Sequence, residues 1–346
     1  MKTILFASLL LCSPYCTAGR SVHRPKDPLC PTIQTYWPND TTKYTLNDWH
    51  LEEIPIFHTF DKENFQKHML PIGDITYRNH PEHSVLGTTL AELANHVLEE
   101  IEMGNHSFTH FKKLKVRDFS ENDHTGLAIL KYKKYPFVLK LFIEKPESFV
   151  KPYSKGFEPI MFFWMGSTMR HLTGFGRIKN LERIKERLAS NPIWAQRVDV
   201  PRKWFWEPKN NKYFIVEGIN IGREKKQTVE LPSVYGIICD AIESPHHLSL
   251  IKIKNRDECL EIARFLDYNL DPHLPNFLPE KDTNKLVIID TEHFPALTGL
   301  KQKLEAKSYI GWYMKISYKA FKDQFCRSKP ARRNMQKKLR SSYYPF

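Results

Sequence analysis

Apolar and polar positions along the chain fall into distinct regimes. From residue 19 to about residue 85 the chain is rich in Pro, Asp, Asn, Tyr and His, and its weak periodicity predicts an irregular extension with short elements. Over 88–103 the pattern turns helical. Leu90, Leu93, Ala94, Val97 and Ile101 share one face, Thr88 or Thr89 can cap the start, and Gly104 can end it. Residues 112–144 read as a β-meander, with strand runs at 127–132 and 137–143 separated by Lys133-Lys134-Tyr135-Pro136. A helix is predicted over 180–189 with Asn180 as its cap, then strands over 198–206 and 213–217. Beyond these the chain reads as mostly helical, with apolar-periodic segments at 234–242 and 257–266 and a short buried strand at 286–290. This order predicts an α+β protein, β-rich first and helical afterwards.

The amino end follows another rule. Lys2, the apolar run 4–11 and the small residues Cys16-Thr17-Ala18 before Gly19 make a secretory signal peptide over 1–18. The run is shorter than the ~20 apolar residues of a spanning helix. The expectation is a secreted, periplasmic or lumenal protein, with delivery into a host cell as a further route. Without this segment four cysteines remain, Cys30, Cys239, Cys259 and Cys326. They permit two disulfides in any of three pairings, or free buried thiols. Asn39-Asp40-Thr41 and Asn105-His106-Ser107 are glycosylation acceptors where the host glycosylates.

Composition narrows the class without choosing a function. With 346 residues, 41% hydrophobic and 26% charged, the chain has a globular balance that excludes collagen-like or wholly disordered classes. The net charge of +13 favours anionic partners. Much of it lies in a basic tail, 322–346, where eight Lys/Arg face one acid, Asp323. That tail is a candidate docking segment for an anionic partner or membrane surface. No recognisable nucleic-acid module accompanies the charge, so nucleic acid is not the expected partner. Seven histidines lie between His58 and His110, but none form an H-x-x-x-H pair on the helix, and they read as surface residues rather than a metal site.

The segment richest in chemistry is Asp271-Pro272-His273-Leu274-Pro275-Asn276, D-x-H-x-x-N, followed by the apolar run Leu286-Val287-Ile288-Ile289 that ends in Asp290-Thr291-Glu292. Phosphoryl transfer needs a carboxylate to orient a hydroxyl, and an amide oxygen and a second carboxylate to hold Mg²⁺, which prefers hard oxygen ligands. Asp271 is the candidate base, and Asn276 and Asp290 the candidate metal ligands.

With these residues the sequence resembles the protein-kinase-like superfamily, and looks most like its aminoglycoside and choline kinase branch. The resemblance covers 257–295 and extends plausibly over 112–295. It implies a two-lobe fold with an antiparallel β-rich N-lobe and a reduced helical C-lobe. It also implies ATP and Mg²⁺, and a hydroxyl-bearing acceptor on a protein or small molecule. Lys140, on a strand, would contact nucleotide phosphates and join Asp271 in catalysis. Glu182 would be its helix partner, with Glu186 and Glu158 as rivals. Residues 213–218 would form the strand before the hinge, and Glu217 to Ile219 the hinge whose backbone meets adenine. The implied boundaries are an extension over 19–110, an N-lobe over 111–218, a C-lobe over 219–321 and the tail over 322–346.

The chain departs from that pattern in four ways. Asn269 stands where many kinases have histidine, no glycine-rich loop precedes Lys140, Thr291-Glu292 replace Phe-Gly after the metal aspartate, and little chain follows Asp290. Those departures leave a catalytically inactive, pseudokinase-like binding protein as the alternative to a phosphotransferase.

Overall fold

The strand runs assemble into an α+β structure whose sheets are antiparallel apart from one short parallel pairing. The computed structural model describes residues 32–47, 49, 51, 60–115, 118–154, 156, 160, 171–219, 226–300 and 303–325. The signal segment, Cys30, Glu158, Cys326 and the tail beyond residue 325 lie outside the described residues. The elements are β1 (Thr32–Tyr36), β2 (Tyr44–Asn47), α1 (Lys62–Lys67), β3 (Asp74–Thr76), β4 (Ser84–Leu86), α2 (Gly87–Glu102), β5 (Phe111–Lys115), β6 (Phe119–Ser120), β7 (Thr125–Tyr132), β8 (Phe137–Ile143), α3 (Pro146–Ser154) and α4 (His171–Ala189). They continue with α5 (Pro192–Arg197), β9 (Val198–Asp199), β10 (Lys203–Trp206), β11 (Tyr213–Ile219), β12 (Lys226–Pro232), β13 (Val234–Asp240), α6 (Ile253–Phe265), β14 (Phe277–Pro279), β15 (Leu286–Ile288), α7 (Phe294–Thr298) and α8 (Tyr309–Phe325).

The main sheet has the order β10-β13-β8-β7-β5, with β6 also on β7. Strand period 2 divides its side chains between two cores. Leu139, Leu141, Leu130 and Ile238 face α2, where Leu90, Ala94, Val97 and Ile101 cover them. Phe142, Phe205, Tyr235 and Ile237 face the other way, toward α4 and a second sheet of order β12-β11-β1-β2. A third core gathers α6, α7, α8 and the β14–β15 hairpin around Trp312, Leu260 and Ile288. Helix α4 belongs to two of these cores: Leu172, Phe175 and Ile178 pack on the sheets, Leu181, Ile184 and Leu188 on the helical half.

Several expectations are corrected here. The segment 234–242 was expected to be helical, yet Val234–Asp240 is a strand held between β8 and β10, because its apolar run is buried on both faces. The span 198–206 is two strands, interrupted at Pro201. The helix expected from residue 180 is already formed at His171, so Asn180 lies inside it rather than capping it. Helix α2 begins at Gly87 without a side-chain cap. Its first N–H groups instead donate to the carbonyls of Gly73 and Ile72 (2.9 and 3.4 Å), which removes the need for Thr88 or Thr89. The extension is built into the body: β1 lies between β11 and β2, pairing Ile33 with Gly218 and Tyr36 with Ile215. Cys239 and Cys259 are buried free thiols.

Candidate functional site

The site forms where the main sheet, α4 and the β14–β15 hairpin meet. Lys140 alternates with Leu139 and Leu141 on β8, so it shares the α4-facing side with Phe142. Lys203 sits on β10 opposite Cys239 of β13, and Phe205 two residues on marks this as the same face. Arg177 projects from α4 between its two packing zones. The cations are 6%, 5% and 0% exposed respectively, so each requires a partner within the protein.

Close approach of α4 to the sheet depends on Gly174. A Cβ there would lie 2.0 Å from the Tyr235 hydroxyl and 2.8 Å from Phe142 Cζ. Tyr235 donates to the carbonyl of His171 and stacks between Phe142 and Phe175. The Arg177 guanidinium lies over the Phe142 ring at 5.5 Å.

The 267–276 loop is shaped by local chemistry. Asp267 and Tyr268 both take the left-handed conformation after α6 (φ +57 for each). The carboxylate of Asp271 accepts from the N–H of His273 at 3.0 Å, and the Asn276 amide donates to the Asp271 carbonyl at 3.2 Å. Leu274–Asn276 form a 3-10 turn, and the Ile289 N–H donates to the Asn276 carbonyl at 2.9 Å. The hairpin therefore carries Asp290 to the side of the loop that holds Asn276. Asn180 reinforces this junction from α4, donating to the carbonyls of Asn269 and Thr291 at 3.3 and 3.0 Å.

Asp290 is the centre of the charged cluster. Its Oδ1 lies 3.5 Å from Lys140 Nζ and 3.4 Å from Arg177 Nη1. Arg177 Nη2 reaches Glu292 at 3.0 Å. Lys203 donates to Thr291 Oγ1 at 2.7 Å, and both lysines reach the Ile289 carbonyl, at 3.4 Å for Lys140 and 3.3 Å for Lys203. Burial lowers the Lys140 ammonium, with Asp290 opposing it. Burial, reinforced by neighbouring Lys140, pushes Lys203 down to about 7. Cys239, on the same face, is raised by burial.

No protein-family profile, curated protein or solved structure matches the chain.

Of the residues singled out in the sequence, the structure links Lys140 to Asp290, and Asp271 to Asn276, at a single junction. Glu182 does not join them. It accepts from His68 at 2.8 Å and is 42% exposed, because it lies more than a turn beyond Arg177 and toward α1. Glu186 is exposed as well. Nor are Glu217 and Ile219 near Lys140: β11 lies in the second sheet, where the Glu217 carboxylate takes the Tyr36 hydroxyl at 3.2 Å and Lys43 at 3.8 Å. The strand beside β8 that leads into the helical half is β13. After it the Ala241 N–H donates to the Pro136 carbonyl (2.8 Å), and the Glu243 carbonyl accepts from the N–H of Lys281 (2.9 Å). Arg177 and Lys203 were missed, and Glu292 entered only as part of the motif, without a role in the site. The available signal was polarity in an apolar context: one arginine among Leu172, Phe175 and Ile178, and one lysine opening Lys203-Trp204-Phe205-Trp206.

Proposed function

We propose that the chain is an exported kinase-like phosphotransferase that moves the γ-phosphate of ATP to a hydroxyl acceptor. The carrying observation is the meeting of Lys140 with Asp290 at 3.5 Å beside the loop that holds Asp271 and Asn276. The order of parts supports it: strand lysine, helix, acid–amide loop, hairpin and acid follow one another as in the superfamily the sequence resembles. On this reading the sheets with α2, α3 and the first half of α4 form the N-lobe. The helical half forms a reduced C-lobe, and the segment after Asp240 takes the place of the hinge.

Asp271 is half-buried, with its carboxylate oriented by the His273 N–H, and would orient the acceptor hydroxyl and take its proton. Lys140 would pair with nucleotide phosphates in exchange for Asp290. Asn276 and Asp290 supply an amide and a carboxylate oxygen at one junction, a donor set that suits Mg²⁺. When bound there, the ion would neutralise charge on the β- and γ-phosphates.

The test is ATP-dependent phosphoryl transfer with Asp271→Asn and Asp290→Ala. Each is expected to lower kcat by about 100-fold or more, and Asp290→Ala also to lower stability, because Lys140 and Arg177 lose their shared carboxylate. Undiminished turnover by Asp290→Ala would sink the mechanism. A second reading is favoured by Arg177, which is the α4 residue that meets Asp290 while the expected partner Glu182 pairs with His68: a non-catalytic binding protein on the same architecture. It predicts ligand-induced stabilisation by ATP with no transfer to any acceptor.

A further inference from the structure

Arg177 and Lys203 have no part in that mechanism, yet they are buried at least as deeply as Lys140. The three cations converge. Lys140 and Lys203 share the Ile289 carbonyl, and Lys140 and Arg177 share Asp290 Oδ1. Among the described residues two carboxylates stand against them, Asp290 and Glu292, so the cluster carries one cation in excess whenever Lys203 is protonated. The Nε of Arg177 has no hydrogen-bond partner among the described residues. Asp290, with 18% of its side chain exposed, is the most open member of the cluster. A buried excess of positive charge is unfavourable in isolation and is relieved by an anion. In the kinase-like pattern the strand lysine is paired with a helix glutamate, a neutral pair that leaves phosphate charge to the metal. Here the helix contributes a cation instead.

Resting on the nucleotide reading above, we propose that Lys140, Lys203 and Arg177 form a cradle that binds the nucleotide's polyphosphate without a divalent metal, with Asp290 and Glu292 as internal counter-ions. Metal then serves transfer rather than binding.

Isothermal titration at pH 8 tests the cradle, with ATP and with inorganic tripolyphosphate, each in excess EDTA and in Mg²⁺. ATP is expected to bind in EDTA within about tenfold of its affinity in Mg²⁺. Lys203→Met, which keeps the side-chain volume, is expected to weaken metal-free binding roughly tenfold or more. Binding of ATP only in Mg²⁺ would overturn the cradle and leave the nucleotide reading intact. Metal-free binding unaffected by Lys203→Met would also overturn it. Tripolyphosphate binding in EDTA with ATP silent in both conditions would support the cradle and remove the nucleotide reading. Silence of both ligands throughout would remove both.

Discussion

At the scale of single residues, the charge on Lys203 ties stability to pH. Its folded-state pKa is pushed down to about 7 by burial and by Lys140, well below that of a lysine in an unfolded chain. Between those values the unfolded chain binds more protons, so this group's contribution makes stability rise with pH through the window. Below about 7 both states are protonated and the full penalty of a buried ammonium remains. Lys203→Met should therefore be more stable than the wild type at pH 6.5, by about 2 kcal/mol or more, and the margin should shrink by pH 9.5. Urea unfolding of both proteins at the two pH values measures this, and parallel stabilities would contradict it. Comparing the two proteins matters because other groups titrate nearby. Glu144, raised to about 8 by burial despite its bond from Ser148, makes stability fall as pH rises between about 4.5 and 8. The sequence showed Asp271, Asn276, Asp290 and Lys140 because their types and spacing carry chemistry by themselves. Arg177 and Lys203 acquire meaning only from burial beside Asp290, and nothing in a linear sequence supplies that.

At the scale of elements, α4 positions the cluster, and its approach to the sheet is set by a missing side chain. In an exposed helix, replacing glycine by alanine stabilises by ~1 kcal/mol. At Gly174 the sign should reverse, because the added carbon would meet the Tyr235 hydroxyl at 2.0 Å and Phe142 at 2.8 Å. Tyr235 is held by its bond to the His171 carbonyl and by stacking on both sides, so it has little room to yield. Gly174→Ala is expected to destabilise by about 2 kcal/mol or more and to lower the thermal midpoint. An unchanged or raised midpoint would mean that α4 is not seated on Tyr235 as described. Gly174 and Gly176 hid the first half of this helix from sequence reading, which began it at Asn180. Glycine lowers helix propensity, and tertiary packing overrides that loss here. The strand Val234–Asp240 was misread for the opposite reason: a run buried on both faces shows no alternation to distinguish strand from helix.

At the scale of the whole molecule, the N-terminal segment is a structural part of the sheets. Strand β1 inserts beside β11, nearly two hundred residues later in the chain, and Ile33, Leu46 and Trp49 enter the same core as Phe142 and Tyr235. The Thr35 hydroxyl donates to the Pro146 carbonyl at 2.8 Å, fastening β1 to α3. Further along, Arg78 donates to Glu280 at 2.7 Å and to Asp199 at 2.6 Å, joining the segment to the hairpin that carries Asp290. This dependence was not legible in the sequence: both strands of the β1–β2 pair are short, and their partner lies too far away for any local pattern to disclose it. A chain beginning at Phe60 would expose one edge of β11 and leave the apolar faces of Phe214 and Val216 without Ile33 and Leu46. Such an edge invites association with other chains. The shortened protein is therefore expected to lose its cooperative thermal transition and to aggregate, while the full chain unfolds in one transition with Lys140 and Asp290 together. Calorimetry and light scattering on the two chains decide the point. If the shortened chain kept the midpoint of the full one, residues 32–47 would be an appendage after all. The sheet carrying Lys140 would then be held by α2, α3, α4 and the β11–β12 pair without help from β1 and β2.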